Sequence, residues 1–236
     1  MDRGTAVDAT ARRVARYGER PARPLTPWPA LDEVLGMEIG SKRFAVLALP
    51  WEPGGETPFH IAQAAARSGA NPLCLHPGWS PHWDGALRVR RTAELPAEVA
   101  YRDLAVRGGE VGMVLVDQFS RLHWGSVTGH HEREDVVGAA GRELLELALK
   151  ASLPVLVLVR SRKGGPLDFE ALRSDGALEY DCDVFAMADP DHRTATARLR
   201  VAKSRFGPAE TTTVAWEVLP RTHYRGAAGP GLPAQA

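Results

Sequence analysis

The stretch FAVLALPWEPGGETPF, residues 44–59, decides the fold of this chain. Its first six residues are all apolar, which is typical of a strand that is buried on both faces of a parallel sheet. A turn rich in proline and glycine follows, and a helical pattern begins near Phe59. A buried strand that leads into a glycine loop and a helix N-terminus predicts a phosphate-binding cradle, because such a loop presents backbone N–H groups and the helix end adds partial positive charge.

The charge of this loop departs from the phosphate-binding pattern G-x-x-x-x-G-K-[ST]. Pro50 stands at the position of the first glycine, and Glu56 stands at the position of the lysine. A carboxylate repels a triphosphate, and the attraction of a lysine for the phosphate oxygens is lost as well. Two interpretations follow: Gly54, Gly55, Glu56 and Thr57 form a weakened nucleotide site, or they form a structural glycine turn that Glu56 closes.

The composition is typical of a soluble globular protein. The chain has 236 residues with 29 basic and 29 acidic side chains, and on bulk charge it predicts neither a nucleic acid nor a membrane as partner. The two cysteines, Cys74 and Cys182, are predicted to be buried free thiols in a reducing cytoplasm. No apolar run reaches the ~20 residues of a membrane span. The first residues lack the apolar core of a secretory signal, so we expect a cytoplasmic protein.

Apolar runs that alternate with helical patterns predict an α/β fold whose mainly parallel sheet is flanked by helices. The predicted strands are residues 44–49, 71–75, 87–89, 111–116, 154–159 and 184–188. The predicted helices are residues 61–67, 96–107 and 135–150, while residues 26–36 predict a turn followed by a short helix and residues 167–174 predict one or two helical turns. Residues 198–202 and 212–218 alternate in polarity, which predicts an antiparallel hairpin, and residues 120–134 predict a polar loop.

The two ends of the chain differ in composition from the part between them. Residues 1–24 are rich in alanine, arginine and proline, and they predict a flexible arm or a short helix. Residues 25–224 hold the predicted sheet and form one domain, while residues 225–236 predict a disordered tail. Function in a parallel sheet gathers at the carboxyl ends of the strands, which here lie at the glycine loop, His76, Asp117 and Arg160.

Several segments, in their order along the chain, resemble the C-terminal motor domain of DnaB-type replicative helicases. TPWPALDEVLG (26–36) resembles the entry motif of that family, and AVLALPWEPGGETPF (45–59) stands in place of its Walker A segment. VGMVLVDQFSRL (111–122) stands in place of its Walker B strand, and LPVLVLVRSRK (153–163) resembles its sensor strand.

The two longest segments of the resemblance lie near the C-terminus. LRSDGALEYDCDVFAMAD (172–189) is close to the family pattern L-R-E-S-G-A-I-E-Q-D-A-D-V. LRVAKSRFGPAETTTVAWE (199–217) is close to its closing hairpin, I-V-A-K-N-R-N-G-P-T-G. The resemblance covers about residues 25–224. It implies a RecA-like P-loop NTPase fold, and it implies ATP and Mg²⁺ as the ligands of the protein.

The resemblance also implies roles for single residues. Asp117 matches the Walker B aspartate, which helps to hold Mg²⁺, and Thr57 matches the hydroxyl that ligates the metal. Lys203 and Arg205 match a Lys-x-Arg pair that reaches the γ-phosphate bound by a neighbouring subunit, in the manner of an arginine finger.

Three departures from the family pattern predict a weak ATPase. Glu56 replaces the phosphate-binding lysine. The second strand is followed by His76 where a catalytic glutamate is expected nearby, and no acid occurs before Asp84. Arg160 stands where the sensor strand usually carries glutamine. Arg160 either restores positive charge near the pocket or pairs with Glu56 and neutralises the site from within.

Two loops occupy the positions at which these helicases pass single-stranded DNA. Phosphate contacts and base stacking are predicted for Arg121, Trp124, Arg160, Arg162 and Lys163, and the alternative is a pair of ordinary surface loops. Histidines also occur in the first loop, but their spacing matches no zinc motif, so we predict no zinc.

Three hypotheses for function remain open. The first is a degenerate relative of DnaB-type helicases that is weak or inactive as an ATPase alone. It would act as an assembly or regulatory subunit in DNA replication or mobile-element DNA processing, with itself or a helicase-like protein as partner in an oligomer. The second is an active ATP-dependent helicase or translocase in which Arg160 does the work of the lysine. The third is a scaffold that binds no nucleotide.

Overall fold

The structure is a computed structural model, and it describes residues 24–50, 57–76, 88–91, 100, 104, 111–119, 130–161, 167–191, 193–207 and 211–216. Its strands are β1 (Phe44–Leu49), β2 (Pro72–His76), β3 (Arg88–Arg91), β4 (Met113–Val116), β5 (Val155–Arg160), β6 (Val184–Asp191), β7 (Thr196–Ser204) and β8 (Thr211–Ala215). Its helices are α1 (Pro29–Leu35), α2 (Thr57–Arg67), α3 (His130–Ala151) and α4 (Phe169–Leu172), and a 3-10 helix, Arg173–Glu179, follows α4 directly.

The described strands form one sheet in the order β3-β2-β4-β5-β1-β6-β7-β8. The first six strands in this order are parallel to one another, and β7 and β8 run antiparallel at one edge. The predicted α/β fold with a mainly parallel sheet and an antiparallel C-terminal hairpin is therefore confirmed.

Strand β1 lies near the middle of the sheet because all six of its side chains are apolar. Each of them is buried. Phe44, Val46 and Ala48 face a core layer that includes the apolar residues of α3, whereas Ala45 and Leu47 face a second layer that includes those of α1 and α2. A strand that is buried on both faces holds the center of a two-layered core, as its unbroken apolar run predicts.

Helix α3 begins earlier than predicted. The polar residues 130–134 belong to the first turns of this helix and not to the predicted loop, whose residues 120–129 lie outside the described part of the chain. The polarity of these residues does not exclude a helix, because glutamate and arginine are good helix formers and acidic residues near a helix N-terminus are favourable.

Strand β6 is longer than predicted and contains Pro190. Only its first half, Val184 to Met187, pairs with β1, while its second half pairs with β7 alone. A proline is tolerated there because that part of the strand has an unpaired side.

Several remaining predictions can be compared with the described residues. Cys74 and Cys182 are buried free thiols, as predicted. Burial raises the pKa of the Cys182 thiol to about 12, although the nearby Lys203 lowers it.

No helix in the described ranges is both long enough and apolar enough to cross a bilayer. The predicted arm (1–24) lies outside the described residues except for Pro24, and the predicted tail (225–236) lies outside them entirely.

Candidate functional site

The carboxyl ends of the parallel strands bring together four of the predicted site residues. His76 is the last residue of β2, Asp117 directly follows β4, and Arg160 is the last residue of β5. Thr57 begins α2, which follows β1. Because β2, β4, β5 and β1 are consecutive neighbours in the sheet, all four residues belong to one edge of it.

His76 and Asp117 form a buried pair at this edge. Nε2 of His76 lies 3.2 Å from Oδ2 of Asp117, and the two side chains are only 8% and 4% exposed. With the proton on Nε2, the imidazole donates a hydrogen bond to Oδ2 of Asp117. The sequence predicts that both residues lie at strand ends, but no motif in it predicts this contact.

Gln118 adds a second polar contact to the same imidazole. The nitrogen of its side-chain amide lies 3.0 Å from Nε2 of His76. Because an amide nitrogen only donates, this contact needs an unprotonated Nε2, so it and the hydrogen bond to Asp117 belong to different tautomers unless the amide is turned to present its oxygen. The backbone of Gln118 has φ +50°, in the left-handed region that few residues other than glycine adopt. Such a conformation costs on the order of 1–3 kcal/mol and persists where the surrounding structure imposes it, often at functional sites.

The second oxygen of Asp117 is buried without a hydrogen bond. Among the described residues, Oδ1 of Asp117 finds no donor. A buried oxygen without a donor costs about 1–3 kcal/mol, so a bound water or cation at Oδ1 would be stabilising. The negative charge of Asp117 also contributes, after burial itself, to a pKa of the Cys74 thiol far above its usual range.

Carboxylate and hydroxyl oxygens are ligands that Mg²⁺ prefers, so Asp117 and Thr57 fit the predicted metal by chemistry. Thr57 is buried at the start of α2, where the helix dipole favours anions such as phosphate. When bound, Mg²⁺ would neutralise phosphate charge. Within the described residues no cluster of three or more His, Cys, Asp or Glu side chains could hold a metal by itself, so the phosphates and water would have to supply the other ligands.

Arg160 reaches across the sheet toward the start of the glycine loop. Its Nη1 donates to the carbonyl oxygen of Pro50 at 3.4 Å, and the register of β5 against β1 places Arg160 beside Leu49. The guanidinium therefore brings a positive charge to the point where β1 ends. Glu56 lies outside the described residues, so its pairing with Arg160 stays a prediction.

Lys203 and Arg205 lie far from this edge and contact their own chain. Nζ of Lys203 donates to the carbonyl oxygens of Glu179 and Tyr180. The guanidinium of Arg205 lies 3.4 Å from Oδ1 of Asp183 and donates to the carbonyl oxygen of Asp181. The carbonyl oxygens of Glu179, Tyr180 and Asp181 lie at the C-terminal end of the 3-10 helix, where the partial negative charge of the helix end favours cations.

Asp183 explains why Arg205 lies at the opposite end of β1 from the glycine loop. Oδ2 of Asp183 accepts the N–H of Phe44, the first residue of β1, at 2.9 Å. The other end of this six-residue strand, next to Pro50, is about 20 Å away at ~3.3 Å per residue. Arg205 therefore lies too far from the carboxyl end of β1 to reach a phosphate bound there.

The remaining predicted site residues lie outside the described part of the chain, and their roles stay predictions. They are Gly54, Gly55, Glu56, Arg121, Trp124, Arg162 and Lys163.

Comparisons with known proteins agree on the fold. No protein-family model and no curated protein matches the chain. Among solved structures, the ATPase domain of G40P is similar with a TM-score of 0.62 and 14% identity, over 91% of this chain and 95% of that one. The RadB recombinase is similar with a TM-score of 0.55 and 16% identity, over 78% of this chain and 92% of that one. The fold is RecA-like. At these identities the similarity shows the RecA-like fold alone, which confirms the fold implied by the sequence motifs.

Proposed function

We propose that this chain is a degenerate relative of the DnaB-type helicase motor domain that binds Mg²⁺–ATP weakly and hydrolyses it slowly or not at all by itself. It acts as an assembly or regulatory subunit of an oligomer, in DNA replication or mobile-element DNA processing. The RecA-like fold and the six sequence segments that resemble this family support the relationship.

The position of Lys203 and Arg205 carries the regulatory part of this proposal. Lys203 lies near the end of β7 and Arg205 just after it, beside the first residue of β1, and the carboxyl end of β1 is about 20 Å along that strand. A cation in this place can act on phosphates only if another subunit binds them. The side chain of Arg205 is 42% exposed, so it is accessible to such a subunit.

The charge of the glycine loop supports the weak ATPase. Glu56 occupies the place of the lysine, and one phosphate-stabilising cation is worth roughly 10³–10⁵ in rate in related reactions. Arg160, which lies by Pro50, favours the alternative of an active helicase or translocase if it substitutes for that lysine. The scaffold alternative requires that neither nucleotide nor single-stranded DNA binds.

A nucleotide titration on the purified chain separates these functions. We expect weak binding of Mg²⁺–ATP, turnover near background, and tighter binding by Glu56→Lys without full turnover. Brisk hydrolysis by the unaltered chain would instead support the active helicase, and no binding would support the scaffold. Salt-dependent binding of a fluorescent oligo-dT would test the predicted DNA loops.

A mixing experiment tests the action on a neighbouring subunit. The Glu56→Lys variant that also carries Lys203→Ala and Arg205→Ala supplies nucleotide sites, and the unaltered chain supplies the cations. We expect the mixture to hydrolyse ATP faster than either protein alone. Replacing the unaltered chain by Lys203→Ala/Arg205→Ala should abolish the gain, whereas Arg198→Ala, an exposed cation on the same strand, should preserve it. An equal rate with both variants would exclude this role.

A further inference from the structure

We propose that His76 is a positioning residue that holds Asp117 so that Oδ1, and not Oδ2, serves the Mg²⁺–nucleotide complex. The inference rests on the nucleotide binding proposed above and assigns a role to a residue that the sequence motifs leave without one. The imidazole occupies one carboxylate oxygen and thereby leaves the other as the oxygen that is available to the metal or to its bound water.

The two oxygens of Asp117 have different surroundings. Oδ2 lies 3.2 Å from Nε2 of His76, whereas Oδ1 is buried and accepts no hydrogen bond from any described residue. The carboxylate of Asp117 is therefore asymmetric, because one of its oxygens contacts the imidazole and the other has no donor among the described residues. Its remaining lone pairs are directed by the contact that holds the first oxygen, so the position of the imidazole decides which oxygen is offered to a ligand.

The imidazole is itself held in place from two sides. His76 is the last residue of β2. Because β2 pairs with β4 in a register that sets Leu75 beside Val116, His76 and Asp117 are neighbours across the two strands. The amide of Gln118, from a backbone in the left-handed region, lies 3.0 Å from the same Nε2, and its oxygen must face a protonated Nε2 for this contact to hold the imidazole. Groups that orient the ligands of a metal in this way typically change metal affinity 10- to 100-fold when they are removed.

A purely structural role for the pair makes a different prediction. If the contact only joins β2 to β4, its loss lowers the stability of the fold and affects every ligand alike. If it orients Asp117, its loss lowers the affinity for Mg²⁺–ATP more than the affinity for ATP without metal. The ratio of the two affinities, here called the magnesium advantage, therefore separates the two roles.

The test measures binding of a fluorescent ATP analogue with Mg²⁺ and with EDTA, in three variants and the unaltered chain. His76→Asn loses the donor at the Nε2 position, because its amide is too short to reach it, and we expect the magnesium advantage to fall about tenfold. His76→Gln places an amide nitrogen near the Nε2 position and should retain most of the advantage. Val114→Ala removes buried apolar volume from β4 and should lower stability without changing the advantage.

Each outcome has a separate meaning. A magnesium advantage that is equal in His76→Asn, His76→Gln and the unaltered chain overturns the positioning role and leaves the proposed function standing. An unaltered chain that binds the analogue in neither buffer overturns the proposed function and this inference with it. If His76→Asn does not fold, Gln118→Ala replaces it and should lower the advantage by releasing the imidazole on one side, and an unchanged advantage in that variant also overturns the role.

Discussion

Asp32 is a buried carboxyl that ties the turn before α1 to the helix. Its oxygens accept the N–H groups of Leu25 at 2.8 Å and Thr26 at 3.0 Å. The hydroxyl of Thr26 donates to the carbonyl oxygen of Trp28 within the same turn. The Leu-Asp pair of the segment TPWPALDEVLG thus has a structural role, in which Leu31 fills the core and Asp32 holds the chain that precedes it.

The surroundings of Asp32 predict a pH-dependent stability. Burial raises its pKa to about 7, against the opposing effect of the backbone hydrogen bonds. A raised pKa means that the folded chain binds the proton more tightly than the unfolded chain does. The resulting stability is fully present below about pH 4 and is lost as the pH rises toward 7, by a few kcal/mol at most.

Urea unfolding at intervals between pH 4.5 and 8, with the unaltered chain and Asp32→Asn, measures this effect. We expect the free energy of unfolding to fall with rising pH more steeply in the unaltered chain, because asparagine does not titrate. The difference between the two proteins isolates Asp32 from the other acids and histidines. Parallel pH profiles would show that Asp32 keeps an ordinary pKa.

Two glycines show how the elements constrain the sequence in opposite ways. Gly112 lies just before β4, and a Cβ atom on it would lie 2.3 Å from the carbonyl oxygen of Ala70. The chain before β2 and the chain before β4 approach too closely there for any side chain. Gly138 lies within α3, and a Cβ atom on it would meet only the guanidinium of Arg142 at an ordinary 3.7 Å.

Alanine substitutions at these two sites should therefore have opposite signs. Gly112→Ala forces backbone to move and should lower the free energy of unfolding by about 1–3 kcal/mol. Gly138→Ala removes the entropic cost of a helical glycine and should raise it by about 0.5–1 kcal/mol. Chemical denaturation of both variants gives the values. A stable Gly112→Ala variant would contradict the close approach of the two segments.

The chain before α1 and the chain after β8 meet through two tryptophans. The rings of Trp28 and Trp216 stack with centroids 3.7 Å apart and an angle of 10° between their planes. Both are almost fully buried, and α1 packs against β6 and β8 on the same side of the sheet. This stack joins two residues that are 188 positions apart, one before α1 and one after β8.

Removal of one ring from the stack should lower the stability of the fold. We expect Trp216→Ala to lower the free energy of unfolding by roughly 3–5 kcal/mol, while Trp216→Phe should lose less because a ring still covers Trp28. Thermal unfolding measures the stability, and near-UV circular dichroism reports the stacked rings. A Trp216→Ala variant as stable as the unaltered chain would show that the stack does not hold the edge.

Much of the fold could be predicted because its signals are local. The apolar runs that became β1, β4 and β5 are unbroken, and an unbroken run of that length predicts a buried parallel strand whatever its neighbours are. The start of α3 was missed because its first residues are polar, and polarity alone does not separate a loop from an exposed helical turn.

The candidate site was only partly predictable. Strand ends marked Asp117 and Arg160, and a motif marked Thr57. The pair of His76 and Asp117 was missed because it depends on β2 lying beside β4, and strands that are distant in sequence become neighbours only through crossover connections. The sequence signal was a histidine and an aspartate at two strand ends, without any indication that these ends are adjacent.

The sequence by itself determined the approximate positions of the main strands and helices, the departure of the glycine loop in charge from a phosphate-binding loop, and the motif that Lys203 and Arg205 share. These properties depend on residue types over short distances. Only the tertiary structure decided that His76 holds one oxygen of Asp117, and that Asp183 fixes Arg205 at the end of β1 opposite to the glycine loop. Such contacts depend on sheet order and register, which arise when the whole apolar core is buried together.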